Sequence, residues 1–414
     1  MTESFTYQNK TLTCENIPLS DIAAQVGTPV YVYSTAELLR RAHAFRQTAG
    51  ENVHVHYAVK ANGSPAILKL LKEEGLGADV TSGGELFLAL EAGIEPRKII
   101  YSGVGKRADE MEMALNAGIG GIHVESEMEF ERLAAVAADL QKTARIALRV
   151  NPDIGAETHP YDSTGRLVHK FGVPRETAVA LYRRAAEHPW LHPVGLAAHI
   201  GSQITRLEPY HDMAASLIEL ASDLADQGIQ LSYIDAGGGL GIDYDGRSPI
   251  PAISDWITEL AGPILDAGYG LIIEPGRSIV GPAGLLLTRI LYTKEQGGKS
   301  FIIVDAGMND LVRPAMYNAH HPILPAAMPD GEEALFAQDV VGPVCETGDF
   351  LARERLLPRV NPSDLLAVMQ TGAYGFAMSS NYNGRLRLPE VLVDGDHFQL
   401  IRRRQTYEHL LDGC

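Results

Sequence analysis

Apolar and polar positions alternate with period two through VHVHYAVK, residues 53–60: Val53, Val55, Tyr57 and Val59 fall to one side, His54, His56, Ala58 and Lys60 to the other. Short apolar runs of the same kind recur as GLGADVTS, KIIYSGV, IGGIHVES, RIALRVNP, PVGLAAHIGSQ, LSYIDAGGG and GLIIEPGR, most of them bounded by Gly, Pro, Ser or Asn. Between these runs, apolar residues recur every three or four positions over 65–74, 84–92, 126–141, 176–187, 209–227 and 253–267, which predicts helices. Eight strand–helix units over about 250 residues predict a (β/α)8 TIM-type barrel in preference to a doubly wound sheet. Function then gathers at the C-terminal ends of the strands, where the polar residues are Lys60, Asp79, Ser82, Arg149, Asn151, His199, Ser202, the glycines 237–239, Glu274 and Arg277.

Beyond about Val280 the pattern changes to strands separated by turns, as in KSFIIVDAG and PEVLVDGDHFQLIRRR, and predicts an antiparallel β domain. The strand-like FTYQNKTLTC and TPVYVYS precede the barrel and are expected to complete that domain. The expected organisation is a barrel over 36–283 and a β-sandwich or β-barrel domain built from 1–35 and 284–414. A length of 414 residues agrees with two domains.

Apolar residues make up 45% of the chain and charged residues 21%, enough core for a soluble globular protein. With 35 basic against 52 acidic residues the formal charge is -17, which argues against nucleic acid or an anionic membrane as partner. Cys14, Cys345 and Cys414 have neither disulfide-framework nor zinc-ligand spacing, so a reducing compartment and no metal are expected. The start of the chain lacks a leader pattern, and no uncharged apolar run approaches the roughly 18 residues that span a membrane. A cytoplasmic location is expected.

A lysine at a strand end sheds hydration and is costly unless paired, neutral or covalently engaged. The three glycines of DAGGG let main-chain N–H groups approach an anion, although a tight βα turn alone would also need glycine. In EPGR, Glu274 and Arg277 could form a plain salt bridge or, beside that loop, help to hold an anion. Pyridoxal phosphate needs a lysine amine, a carboxylate for its ring nitrogen and N–H donors for its phosphate, and one barrel mouth would bring all three together. His199, at a strand end, is placed to pack against the ring.

The motifs HYAVKAN, GADVTSGGEL, RVNPDI, STGRLVHKFG, HIGSQI, DAGGGLGI, EPGRSIVGPAG, VDAGMNDLVRPAMYNAHH, DVVGPVCETGDFLA and TGAYGFAMSSNYN occur in this order. Together they resemble the fold type III pyridoxal-phosphate decarboxylases, nearest the branch acting on diaminopimelate, over nearly the whole chain. The resemblance implies Lys60 as covalent anchor of the cofactor, His199 stacked on it and Glu274 at its ring nitrogen. Phosphate contacts would come from Gly239 and the Gly276–Arg277 turn, assisted by Ser202 and Tyr374. Asp79 and Arg149 would form the supporting shell around Lys60, a role that a structural ion pair across the barrel would not exclude.

The same resemblance makes Arg277, Arg313 and Tyr317 the clamp for the substrate's distal carboxylate, with Tyr374 also near the substrate and Glu346 paired with the distal ammonium. Cys345 would act near the cofactor of a neighbouring subunit, which implies a homodimer with shared active sites. Thr347 stands where the family commonly carries serine. The implied reaction is decarboxylation of meso-diaminopimelate to L-lysine and carbon dioxide, the last step of lysine biosynthesis, with Cys345 or Lys60 returning the proton. Alternatives are a decarboxylase of ornithine, arginine or carboxynorspermidine, which would lack the Arg313–Tyr317 clamp, a racemase, which would need a second base, and a non-catalytic pyridoxal-phosphate carrier, which would have no use for the second domain.

Overall fold

The computed structural model describes residues 4–154, 170–328 and 334–414, so most of the STGRLVHKFG motif lies outside the described residues. The chain divides into two compact units, one of residues 41–242 and 249–278, the other of residues 1–40, 243–248 and 279–414.

The first unit is a closed barrel of eight parallel strands in chain order: Val53–Ala58, Gly77–Val80, Ile99–Tyr101, Gly121–Val124, Ala144–Arg149, Leu191–Ala197, Tyr233–Asp235 and Gly270–Ile273. Each of the eight apolar runs supplies one strand, and the last closes on the first through Leu271, Ile272 and Ile273 opposite Val53, His54 and Val55. Ile100, Ala147, Val194, Tyr233 and Ile272 pack together as a core. Helices Pro65–Glu73, Gly83–Glu91, Glu127–Leu140, Arg175–Glu187, Glu208–Ala225 and Ile253–Asp266 follow the spacing read from the sequence. A further helix, Ala108–Ala117, was not expected. Two helices start on strand-end serines: Ser82 accepts from the Glu85 amide and Ser126 from the Glu129 amide, each filling one otherwise unpaired donor of the first turn.

The second unit centres on a sheet whose strands run Phe350–Leu357, Phe336–Val341, Lys299–Val304, Gly284–Gln296, Val30–Ser34, Glu390–Asp394 and His397–Arg402. It is mixed rather than wholly antiparallel, because Lys299–Val304 pairs parallel with Phe336–Val341 and Val30–Ser34 parallel with Glu390–Asp394. The N-terminal segment enters it as expected, with Val30–Ser34 between Gly284–Gln296 and Glu390–Asp394. Phe5–Gln8 and Thr11–Cys14 form a hairpin turned by Asn9 and Lys10, both with positive φ as a two-residue hairpin loop demands. Phe5, Leu12 and Cys14 bury against Val30, Val32, Leu285, Leu287 and Val391. Cys14 is therefore a core residue. Among the described residues, no helix is long and apolar enough to cross a membrane.

Candidate active site

A cavity of about 380 Å³ lies at the C-terminal ends of the barrel strands, with Lys60, Arg149, His199, His123, Asp235 and Glu274 in its walls. Lys60 does not end the strand. The strand stops at Ala58, and Val59–Ala61 form one 3-10 turn that carries the lysine into the mouth with 36% of its side chain exposed. Its Nζ lies 3.2 Å from Oδ2 of the fully buried Asp79, at the end of the next strand. Arg149 meets Glu125 at 3.1 Å, and its guanidinium lies 4.7 Å from the centre of the Phe171 ring. Asp79 and Arg149 thus have different partners, and an ion pair between the two is not what places them.

His199 accepts the Gly238 amide on Nδ1 at 3.2 Å, so the neutral ring carries its proton on Nε2. Burial, with the charges of Lys60 and Arg149, holds its pKa well below the usual imidazole range. Glu274 is pushed the other way. Burial first, then Asp235 and Asp79, raise it well above the usual carboxyl range, against the pull of Lys60 and Arg149. Asp235 is raised to about 7 chiefly by burial, and its Oδ2 has no hydrogen-bond partner. His123, Asp235 and Glu274 bring one ligand-type atom each within 4.8 Å of one another.

The glycines beside this cluster are dictated by space. A Cβ on Gly238 would sit 2.1 Å from the Glu274 carbonyl oxygen, and one on Gly239, at φ +99, would sit 2.3 Å from that of Gly201. At Gly276 it would press on Ala58 and Ala61 at 3.1 Å. The main chain is therefore bare along 237–239 and at 276, as a close-approach anion cradle requires. Arg277 opens the short Arg277–Val280 helix and donates to Ser202 Oγ at 2.8 Å.

In the second unit, Arg313 and Tyr317 share one short helix, Arg313–Tyr317, and stand four residues apart on one face. Arg313 is buried, with Nη1 2.7 Å from His321 Nε2 and its guanidinium 4.8 Å from the centre of the Tyr244 ring. Cys345 and Glu346 are exposed on a turn held by Asp349, whose carboxylate accepts from the amides of Met308 and Val344 at 2.6 Å each. The Cys345 amide donates to Asn383 at 2.8 Å. Tyr374 has φ +56, a strained backbone for an aromatic residue.

Residues that the sequence does not single out are Glu125, His123 and Asp235 around the barrel cavity and, separately in the second unit, His321 and Tyr244 around Arg313. Glu125 and Asp235 end apolar strands as Asp79 does, so the strand-end rule could have found them. His123 lies inside a strand, and His321 gives no periodic signal.

Residues 35–281 match the family model described as the pyridoxal-binding domain of pyridoxal-dependent decarboxylases. The diaminopimelate decarboxylase of Aquifex aeolicus is 45% identical over 98% of this chain and 96% of its own, and that of Archaeoglobus fulgidus 42% identical over 99% and 98%. The crystal structure of diaminopimelate decarboxylase from Helicobacter pylori complexed with L-lysine is 38% identical, with a TM-score of 0.91 over 95% of this chain and 98% of that one. The enzyme from M. jannaschii in co-complex with L-lysine is 34% identical, with a TM-score of 0.93 over 99% and 97%. The chain belongs to the diaminopimelate decarboxylase family of pyridoxal-dependent decarboxylases.

Proposed function

We propose that this chain decarboxylates meso-diaminopimelate to L-lysine and carbon dioxide with pyridoxal 5'-phosphate as cofactor. The observation that carries the reading is the convergence of Lys60, His199 and the buried Glu274 on one cavity, with the glycines 237–239 tied to its wall through the Gly238 amide on His199. The donor set fits the cofactor: an amine for its aldehyde, a carboxyl for its ring nitrogen, a cradle no side chain could share and an orphaned Asp235 oxygen beside them. Lys60 would hold the aldehyde carbon, Glu274 the ring nitrogen and His199 one ring face. Gly239, the Gly276–Arg277 turn, Ser202 and Tyr374 would hold the phosphate. Once bound, the cofactor supplies an electron sink for the charge left on the substrate carbon when carbon dioxide departs.

The chain's own groups do the rest. Asp79, 3.2 Å from Lys60, keeps the lysine ammonium in the mouth once the amine is released, where it can give a proton back. Arg149, fixed by Glu125, adds a positive charge to the same wall. Neutral His199 offers a flat face without a competing charge. In the second unit, the buried Arg313 guanidinium with Tyr317 is suited to a distal carboxylate, and Glu346 to a distal ammonium. Cys345 is an alternative source of the returned proton. Its exposure on a turn suits a role in a partner subunit's site, within a homodimer whose two sites are shared.

The test is carbon dioxide release by the cofactor-loaded protein with meso-diaminopimelate beside L-ornithine, L-arginine and L-lysine, with the amine product identified by mass. Lysine formed from diaminopimelate alone is the expected result. Turnover of ornithine or arginine instead would remove the Arg313, Tyr317 and Glu346 assignment, and no turnover of any would remove the enzymatic reading.

A further inference from the structure

At the opposite end of the barrel, where the strands begin, a second cavity of about 130 Å³ is walled by Arg46, His54, His56 and Lys98 together with Gly75 and Gly77. It lies at the starts of three consecutive strands, Val53–Ala58, Gly77–Val80 and Ile99–Tyr101, with Lys98 immediately before the third. Two permanent cations and two imidazoles face it and no carboxylate does. In a chain of net charge -17 such a grouping is against the average, and none of these four side chains makes a hydrogen bond or ion pair among the described residues.

His56 is the second observation. Only 6% of the residue is exposed, yet Nδ1 has no partner. Buried polar atoms are almost always paired, so an imidazole without a partner on a residue that walls a cavity has hydrogen-bonding capacity to spare. The glycines make room for it. A Cβ on Gly77 would lie 2.7 Å from His56 Cδ2 and 2.3 Å from the Lys98 carbonyl oxygen, so only glycine leaves the imidazole and the strand start in place. Arg46 lies over Gly75, whose φ of +85 turns the chain at the rim. Burial, with His54 and Lys98 nearby, drives the His56 pKa down to about 3, the response of an imidazole among cations with no anion to offset them.

We propose that the base of the barrel binds a small multivalent oxyanion of the phosphate class between Arg46, His54, His56 and Lys98. The guanidinium and ammonium supply charge-assisted donors, and His56 supplies an N–H from Nε2, on the ring edge beside Gly77, in the tautomer that places its proton there. The room suffices for several waters in its place. The ligand is either the free ion or the phosphoryl group of a phosphomonoester, since both present the same oxygens. This site shares no residue with the cavity around Lys60.

The experiment is calorimetric titration of inorganic phosphate, and separately of glycerol 2-phosphate, into the cofactor-loaded protein at constant ionic strength in chloride. Cofactor loading keeps the anion away from the strand-end cradle. Saturable binding is expected for phosphate, weakened at least about tenfold by Arg46→Gln with Lys98→Gln, with unchanged melting temperature and unchanged turnover. Both replaced side chains are exposed, so the fold should tolerate the pair. Equal binding of the ester would identify a phosphomonoester-compatible site, and phosphate binding alone a site for the free ion. Absence of saturable binding, or identical binding by the double variant, would overturn the proposal.

Discussion

Asp235 shows how far one buried carboxyl can set the behaviour of the cofactor-free protein. Its folded pKa is raised to about 7, so between its ordinary value near 3.8 and about 7 the folded chain holds a proton that the unfolded chain has lost. Stability is therefore fullest below the ordinary value and falls as pH rises through that window. Asp235→Asn keeps an acceptor for the Gly237 amide, which lies 2.8 Å from Oδ1, and removes the titration. The cofactor-free variant should melt above the parent at pH 7 and match it more closely at pH 4, with about 2–4 °C gained per kcal/mol. Equal pH dependence of melting in the two proteins would contradict this. At this scale the sequence was legible where polar residues stand at or just past strand ends, as with Lys60, Asp79, Arg149 and Glu274. It was silent on partners, because Glu125 meets Arg149 and His321 meets Arg313 only through contacts that no periodicity encodes.

Among the elements, the segment after the third barrel strand is held by one buried ion pair. Ser102, Gly103, Val104 and Gly105 line the mouth cavity. Lys106 behind them donates to the Gly103 carbonyl at 2.7 Å and to Glu129 at 2.7 Å, its side chain wholly buried. Replacing Lys106 by Met would leave Glu129 buried without its cation, a loss of about 3–5 kcal/mol. Lys106→Met should lower the melting temperature, speed amide exchange across 102–105 and weaken cofactor binding. Unchanged exchange there would show that the pair does not pin the segment. Strands and helices themselves were largely readable, because the barrel buries apolar runs on both faces and the helices one stripe each. The Ala108–Ala117 helix escaped because Asp109, Glu110 and Glu112 dilute its apolar spacing. The last turn of the first strand escaped too, since Val59 and Lys60 continue the alternation while the backbone has already left it.

For the molecule as a whole, the return of the N-terminal segment into the second sheet followed from strand-like patterning on both sides of the barrel. The two parallel pairings did not, because side-chain alternation is the same in parallel and antiparallel strands. Nor does a single chain's pattern encode assembly, so the shared-site homodimer rests on the family resemblance and on the exposed Cys345–Glu346 turn. The central claim is that Lys60 carries the chemistry and that Cys345 completes the site of a second copy. It is tested most directly by carbon dioxide release from diaminopimelate by Lys60→Ala, by Cys345→Ala and by an equal, re-equilibrated mixture of the two. With Cys345 rather than Lys60 as the proton source, each variant alone should be nearly inactive, and the mixture should regain about a quarter of parental activity, because half of the dimers then hold one intact site. Full activity of Lys60→Ala would contradict the assignment of the lysine, and a mixture no more active than its components would contradict the shared site.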